Sequence, residues 1–167
     1  MNKTINIQNK KEAVRSIMVF KIKNFALIDL KIENVHLKRA NSLVGANIFT
    51  KNDLFVNSLT LKDIMNQEIG EGSHHFHGLS PEEIVDTLAN ITDPYCIIKT
   101  TFSRYAIMST TISHYGEPLM VIIEVGAGLG SNPSANINKL ITIYPKDDID
   151  KTIKNTEAKN VLYVKRK

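Results

Sequence analysis

The chain has 167 residues, of which 43% are hydrophobic and 23% are charged, and its formal net charge is +4. This balance predicts a globular domain that buries roughly two-thirds of its unfolded surface, and it excludes an intrinsically disordered chain. A single cysteine, Cys96, excludes a disulfide framework within the chain, and no apolar run approaches the roughly 20 residues that cross a bilayer.

The net charge conceals an uneven distribution. Residues 1–40 hold nine Lys/Arg and three acids, residues 151–167 hold six and one, and the middle of the chain holds six and thirteen. Basic ends that gather on one face would attract a polyanion such as RNA. The alternative is that lysine-rich ends only keep the protein in solution.

The first elements are predicted from apolar spacing. Residues 9–20 have the three-four spacing of a short helix, residues 27–37 alternate as a strand or hairpin does, and residues 54–67 change from strand to helix. The clearest helix start combines Ser80 as N-cap, Pro81 at the first helical position and Glu83 three residues after the cap, which is a capping box.

After Pro94 the sequence is rich in Ile, Thr, Tyr and Val, as strands are. Strands are predicted at 95–101, 104–113, 119–125, 137–144 and 161–164, with a turn at 114–118, a mobile loop at 126–135 and a short helix at 147–156. Cys96 is expected to be buried as a small hydrophobe. The predicted fold is α+β, in which N-terminal helices precede a four-to-five-stranded antiparallel sheet.

Three histidines, His74, His75 and His77, follow a glycine-rich stretch and precede the capped helix. Histidine exchanges protons near neutral pH, and a helix start favours an anion such as phosphate, so the segment suits acid/base chemistry on a phosphate ester. The alternative is a polar surface loop. His75 and His77 form a His-x-His pair without further placed ligands, so neither a metal nor a cofactor is expected.

A later strand supplies the matching polar groups. Thr142, Tyr144 and Lys146 share one parity, so their side chains project to the same face and could hold a phosphate. An exposed polar strand face is the alternative. Arg104 could clamp a phosphate through its planar guanidinium, although solvated surface arginines are common. His114 falls in a predicted turn and is given no role.

These features together resemble the C-terminal toxin-like domain of phage MuF proteins and the related phage barnase/EndoU/RelE-like nucleases. The resemblance covers residues 43 to 164. It includes the strand and helix of residues 54–67, His77-Gly78 before a helix, Asp93-Pro94 before a strand, Gly116-Glu117-Pro118 in a hairpin turn, and the stretch Thr142-Ile143-Tyr144-Pro145-Lys146.

The resemblance implies a metal-independent ribonuclease fold at residues 43–167, with residues 1–42 as an N-terminal appendage or as the first elements of the same domain. His77 matches the family histidine, with His75 as the alternative, and Thr142 and Tyr144 match the polar residues of the late strand. The implied protein is a phage or polymorphic toxin that acts on RNA in the cytoplasm. It would reach the cytoplasm by delivery from another cell or from a phage. Its partner would be an immunity protein or antitoxin.

The leading hypothesis is therefore RNA cleavage by attack of the ribose 2′-hydroxyl. His77 or His75 would remove the proton, and Tyr144, Lys146 and Arg104 would stabilise the pentacovalent phosphate. The alternative is an inactive protein that keeps the nuclease fold and binds nucleic acid or a protein partner. ADP-ribosyl transfer is disfavoured because the expected pair of glutamates is missing: Glu124 is alone on its predicted strand.

Overall fold

The computed structural model of the protein describes residues 5–6, 27–29, 37–65, 77–129 and 132–166. The helix predicted at 9–20 lies outside these residues, as do His74 and His75. No helix among the described residues is both long enough and apolar enough to span a membrane.

Four α-helices and eight strands are described. The helices are α1 (Arg39–Val44), α2 (Ser58–Met65), α3 (Pro81–Ala89) and α4 (Ile149–Asn155). The strands are β1 (Ile5–Asn6), β2 (Leu27–Asp29), β3 (Phe55–Asn57), β4 (Cys96–Lys99), β5 (Arg104–Ile112), β6 (Pro118–Leu129), β7 (Asn132–Pro145) and β8 (Val161–Val164). A short 3-10 helix, Ala158–Asn160, leads into β8.

The strands form one sheet in the order β1-β2-β3-β7-β6-β5-β4-β8. The predicted meander is present, because β4 through β7 pair antiparallel in sequence order. The predicted antiparallel sheet of four to five strands is confirmed in part: the sheet has eight described strands, and β3 pairs parallel to β7 and β1 parallel to β2. The six strands from β3 onward form the main part of a mixed sheet, and β1 and β2 extend its edge beside β3.

Two apolar cores lie on opposite faces of the sheet, because alternate residues of each strand point to opposite faces. Helices α1, α2 and α3 cover the larger core, to which the strands contribute Val56, Ile97, Ile107, Val121, Ile123, Leu140 and Ile143. Helix α4 covers the smaller core through Ile149 and Ile153, packed on Cys96, Ile98, Ala106, Met108 and Met120. The predicted burial of Cys96 is confirmed.

The predicted capping box at the start of α3 is confirmed. The Ser80 hydroxyl accepts from the Glu83 backbone N–H at 3.1 Å, and the Glu83 carboxylate accepts from the Ser80 N–H at 2.8 Å. The carboxylate also accepts from the backbone N–H of His114 at 2.6 Å and from its Nδ1 at 2.8 Å. His114, for which the sequence indicated no role, thus fastens the β5–β6 turn to the first turn of α3.

The prediction of a loop at residues 126–135 is wrong for most of these residues. Strand β6 continues to Leu129 and β7 begins at Asn132, so the two strands extend well beyond the predicted ends. Gly126 has φ +70°, in the left-handed region that favours glycine. A Cβ at Gly128 would lie 2.7 Å from the Pro133 carbonyl oxygen. The glycines therefore permit a bulged, closely spaced hairpin, where their abundance had indicated a loop.

Candidate functional site

An open cavity of about 490 Å³ lies between α2, the segment before α3 and the C-terminal half of β7. Its lining consists of Thr60, Asp63 and Ile64 of α2, His77, and Ile141, Thr142 and Tyr144 of β7. The volume is within the range of small-ligand pockets. Five of the seven lining side chains are polar, and they include an imidazole, a carboxylate and a phenol.

The backbone around His77 is held by its neighbours. Gly78 has φ +60°, a conformation that glycine adopts without strain. The next residue, Leu79, is buried in the larger core, and its N–H donates to the Ile64 carbonyl at 3.0 Å. Ser80 then begins α3 as its N-cap. His77 is therefore placed between the end of one helix and the start of the next.

His77 and Tyr144 are brought together across the cavity. Their ring centroids are 5.7 Å apart, with an angle of 38° between the ring planes. Burial raises the pKa of the Tyr144 phenol, so the hydroxyl stays protonated and can donate. It donates to the Met120 Sδ at 3.0 Å, and a thioether is a weak acceptor that a phosphate oxygen could replace.

Two of the three polar residues that were predicted to share one face of β7 lie at the cavity. Thr142 is aligned with Ile122 and Tyr144 with Met120 in the β6–β7 register, and both side chains line the cavity. Lys146 follows the end of β7, and its N–H donates to the Pro118 carbonyl at 2.9 Å. It does not line the cavity.

Arg104 lies elsewhere in the sheet. It is aligned with Glu124 on β6, whereas Tyr144 is aligned with Met120 and, through it, with Met108. Arg104 is therefore four residues along the strand direction and two strands across the sheet from Tyr144. These offsets correspond to roughly 16 Å between the backbones of the two residues. The guanidinium is 3.9 Å from the Glu124 carboxylate, so the structure does not bring Arg104 to the cavity.

Two lining residues, Thr60 and Asp63, were missed from the sequence. They are three residues apart on α2, which places them on one side of the helix, next to the apolar stripe that includes Leu61 and Ile64. That spacing was visible in the sequence. What the sequence did not show is that this side of α2 faces β7.

Pairing between distant strands sets the position of α2. The helix begins immediately after β3, and the Asn57 side chain accepts from the Leu59 N–H at 2.8 Å. Strand β3 in turn pairs with β7. The buried Asn138 amide of β7 donates to the Lys51 carbonyl at 2.8 Å and to the Asp53 carbonyl at 2.9 Å, which fixes the segment ahead of β3.

The cavity can support proton transfer and hydrogen bonding to an oxyanion. His77 and Asp63 can each give or take a proton, and the hydroxyls of Thr60, Thr142 and Tyr144 can donate to a phosphate. Neither lysine nor arginine is among its described lining residues. In the part of the chain that the structure describes, no three His, Cys, Asp or Glu side chains are grouped to hold a metal ion.

Comparisons with known proteins identify the family. No curated protein and no solved structure gives a significant match to the chain. Residues 68–167, which are more than half of the chain, match the phage MuF C-terminal domain, and the match spans His77, Thr142 and Tyr144. The chain therefore belongs to the phage MuF C-terminal domain family.

Proposed function

We propose that this protein is a metal-independent endoribonuclease whose active site is the cavity lined by His77, Asp63 and Tyr144. The observation that carries the proposal is the close approach of His77 to Tyr144, at 5.7 Å between ring centroids, within a cavity that also holds a carboxylate. A proton-transfer residue and hydrogen-bond donors then face one space large enough for a nucleotide.

Cleavage needs two proton transfers, one from the attacking 2′-hydroxyl and one to the departing 5′-oxygen. In the proposed mechanism the Asp63 carboxylate takes the first proton, and the His77 imidazolium supplies the second. The 2′-oxygen forms a bond to phosphorus as the bond to the 5′-oxygen breaks, which leaves a 2′,3′-cyclic phosphate. Because Asp63 and His77 together account for both proton transfers, the mechanism does not need a second histidine.

The hydroxyls of Thr142, Thr60 and Tyr144 stabilise the pentacovalent phosphate by donating to its non-bridging oxygens. Lys146 lies just beyond the end of β7, outside the cavity, and in the proposed mechanism it contacts a phosphate of the RNA backbone there. Arg104 is left out of the mechanism because of its distance from Tyr144. The order of helices followed by an antiparallel meander supports a variant of the barnase/EndoU/RelE-like nuclease fold.

The test is incubation of the purified chain with tRNA and total RNA in EDTA. We expect cleavage, and we expect His77→Ala and Asp63→Asn each to slow it by about 10²–10⁴-fold, the usual contribution of one acid or base group. Asp86→Asn, an exposed carboxylate of α3 outside the cavity, is the matched control and should cleave normally. No cleavage by the parent chain, together with normal growth of bacteria that express it, would refute the proposal.

Tyr144 is tested separately by Tyr144→Phe, which keeps the ring beside His77 and removes the hydroxyl. We expect turnover to fall by about 10-fold to 100-fold, because one donor to the oxyanion is removed. Tyr115→Phe is the matched control, since Tyr115 lies in the exposed β5–β6 turn. Equal activity of the two variants would remove Tyr144 from the site.

A specific observation supports a second candidate function, an inactive nuclease-fold protein that binds nucleic acid or a protein. Asp63 adds a negative charge to a cavity whose described lining has no lysine or arginine, and this opposes phosphate entry. RNA binding that survives His77→Ala, without cleavage by the parent, would favour this function.

If the protein is instead an active toxin in the cytoplasm, co-expression of an immunity protein should restore growth.

A further inference from the structure

We infer that a cleft at the edge of the sheet formed by β4 and β8, together with Phe102, binds single-stranded RNA at a site separate from the His77 cavity. The inference takes its substrate class from the proposed ribonuclease function. Its evidence comes from other residues, which lie around the turn between β4 and β5 and in the 3-10 helix before β8. We call these residues, Lys99, Phe102, Tyr105 and Lys159, the edge site.

The cleft has a volume of about 450 Å³ and is lined by both polar and apolar residues. The polar and charged lining residues are Lys99, Tyr105, Lys159 and Asn160, and the apolar lining residues are Val44, Ala46, Ile48 and Leu162. A nucleotide has matching chemistry, because its flat base is largely apolar on its faces and its phosphate is anionic. The cleft therefore offers apolar contacts to a base and two cations to a phosphate.

Phe102 adds an exposed aromatic ring next to this cleft. It lies in the turn between β4 and β5 with 94% of its surface exposed. The Lys99 Nζ, which lines the cleft, is 5.8 Å from the centroid of the Phe102 ring. An exposed aromatic ring beside a cation is the combination with which proteins stack bases and hold the backbone of single strands.

The charges around the edge site favour a polyanion. The edge site contains two cations, Lys99 and Lys159, which line the same cleft because β8, just after Lys159, pairs with β4. Glu157 accepts from Lys159 at 2.8 Å, but both side chains are exposed, and such ion pairs are weak in water. A phosphate can therefore replace the carboxylate at Lys159.

The edge site and the cavity are too far apart to hold the same nucleotide. Lys99 is aligned with Tyr105 on β5, and β7 lies three strand spacings from β4, which is about 14 Å. A single strand that touches both would have to extend over several nucleotides. The edge site would thus select long single-stranded substrates over mononucleotides.

Binding is the direct test, with the whole chain carrying His77→Ala so that the RNA stays intact. Fluorescence anisotropy with a labelled oligouridylate of about twelve nucleotides gives the affinity and its salt dependence. We expect Phe102→Ala to weaken binding by roughly tenfold, because a base can no longer stack on the ring. The logarithm of the association constant falls linearly with the logarithm of the salt concentration. We expect the double variant Lys99→Gln/Lys159→Gln to reduce the magnitude of this slope by about 1.4, which is 0.7 for each phosphate that is no longer neutralised.

Matched controls come from exposed residues elsewhere. Ile112→Ala removes an apolar side chain that is 57% exposed, and Lys51→Gln/Lys151→Gln removes two exposed cations, so both should bind as the parent does. The inference is overturned if the edge variants bind like these controls, or if Phe102→Ala changes self-association and leaves RNA binding intact. Failure of the parent to cleave RNA would refute the proposed function without altering this result, because the readout is binding.

Discussion

Replacing Glu83 with glutamine tests how the start of α3 is held to the β5–β6 turn. The Glu83 side chain is 14% exposed and accepts from the Ser80 N–H, the His114 N–H and the His114 imidazole. Glutamine has the same shape but one acceptor oxygen, and its amide nitrogen would face at least one of these donors. Loss of charge-assisted hydrogen bonds with a donor left unpaired costs about 2 kcal/mol. For a chain of this length, the melting temperature should fall by roughly 4–8 °C.

The effect should depend on pH. Burial by itself raises the pKa of Glu83, but the hydrogen bonds from Ser80 and His114 outweigh it and bring the pKa below the ordinary value of 4.5. A carboxylate whose pKa is lower in the folded state stabilises the fold above its unfolded pKa, and this stabilisation is lost as the pH falls through the folded pKa. The difference between parent and Glu83→Gln should therefore be largest near neutral pH and shrink in acid.

Chemical unfolding at neutral pH and in acid provides the measurement. Asp86→Asn, on the same helix but exposed, should change the free energy of unfolding by less than about 0.5 kcal/mol at both pH values. A Glu83→Gln variant as stable as the parent at neutral pH would refute the reasoning. So would a difference that stays constant into acid, since the charge of the carboxylate would then contribute nothing.

Three further predictions concern other buried or crowded positions. Asn138→Ala, which removes two hydrogen bonds from a residue that is 3% exposed, should lower the free energy of unfolding by about 2 kcal/mol in urea and slow any cleavage, because α2 loses its anchor. Gly128→Ala should cost about 1–3 kcal/mol in the same assay, since the new methyl group would meet the Pro133 backbone, and an unchanged midpoint would refute this. Burial raises the pKa of the Cys96 thiol to about 11, so iodoacetamide at about pH 8 should label the unfolded chain and spare the folded one; rapid labelling of the folded protein would contradict this.

Elements governed by neighbouring residues were predictable from the sequence. The start of α3 depends on Ser80, Pro81 and Glu83, which are close in sequence, and the meander depends on alternation and turns within adjacent segments. Helix α1 was missed because its N-cap, Lys38, makes no side-chain capping bond, so that its start has no local mark.

Features that depend on distant pairing could not be predicted in this way. Phe55 is aligned with Lys139, and no local pattern in either segment specifies that partner or its parallel direction. The side of α2 that faces the cavity follows from this pairing, which explains why the sequence pointed to His77 as a candidate and not to Asp63. The role of His114 depends in the same manner on Glu83, which is 31 residues away.

The pairing of β3 with β7 also has a consequence for the order of folding. The meander joins neighbours in sequence, whereas the hydrogen bond from Asn138 to Lys51 closes a loop of 87 residues. Short loops close at lower entropic cost, so we expect the meander to form first and the two walls of the cavity to meet in a later step. Conservative substitutions at Val121 should then slow refolding, whereas those at Val56 should mainly speed unfolding. The reverse pattern would show that the cavity assembles early.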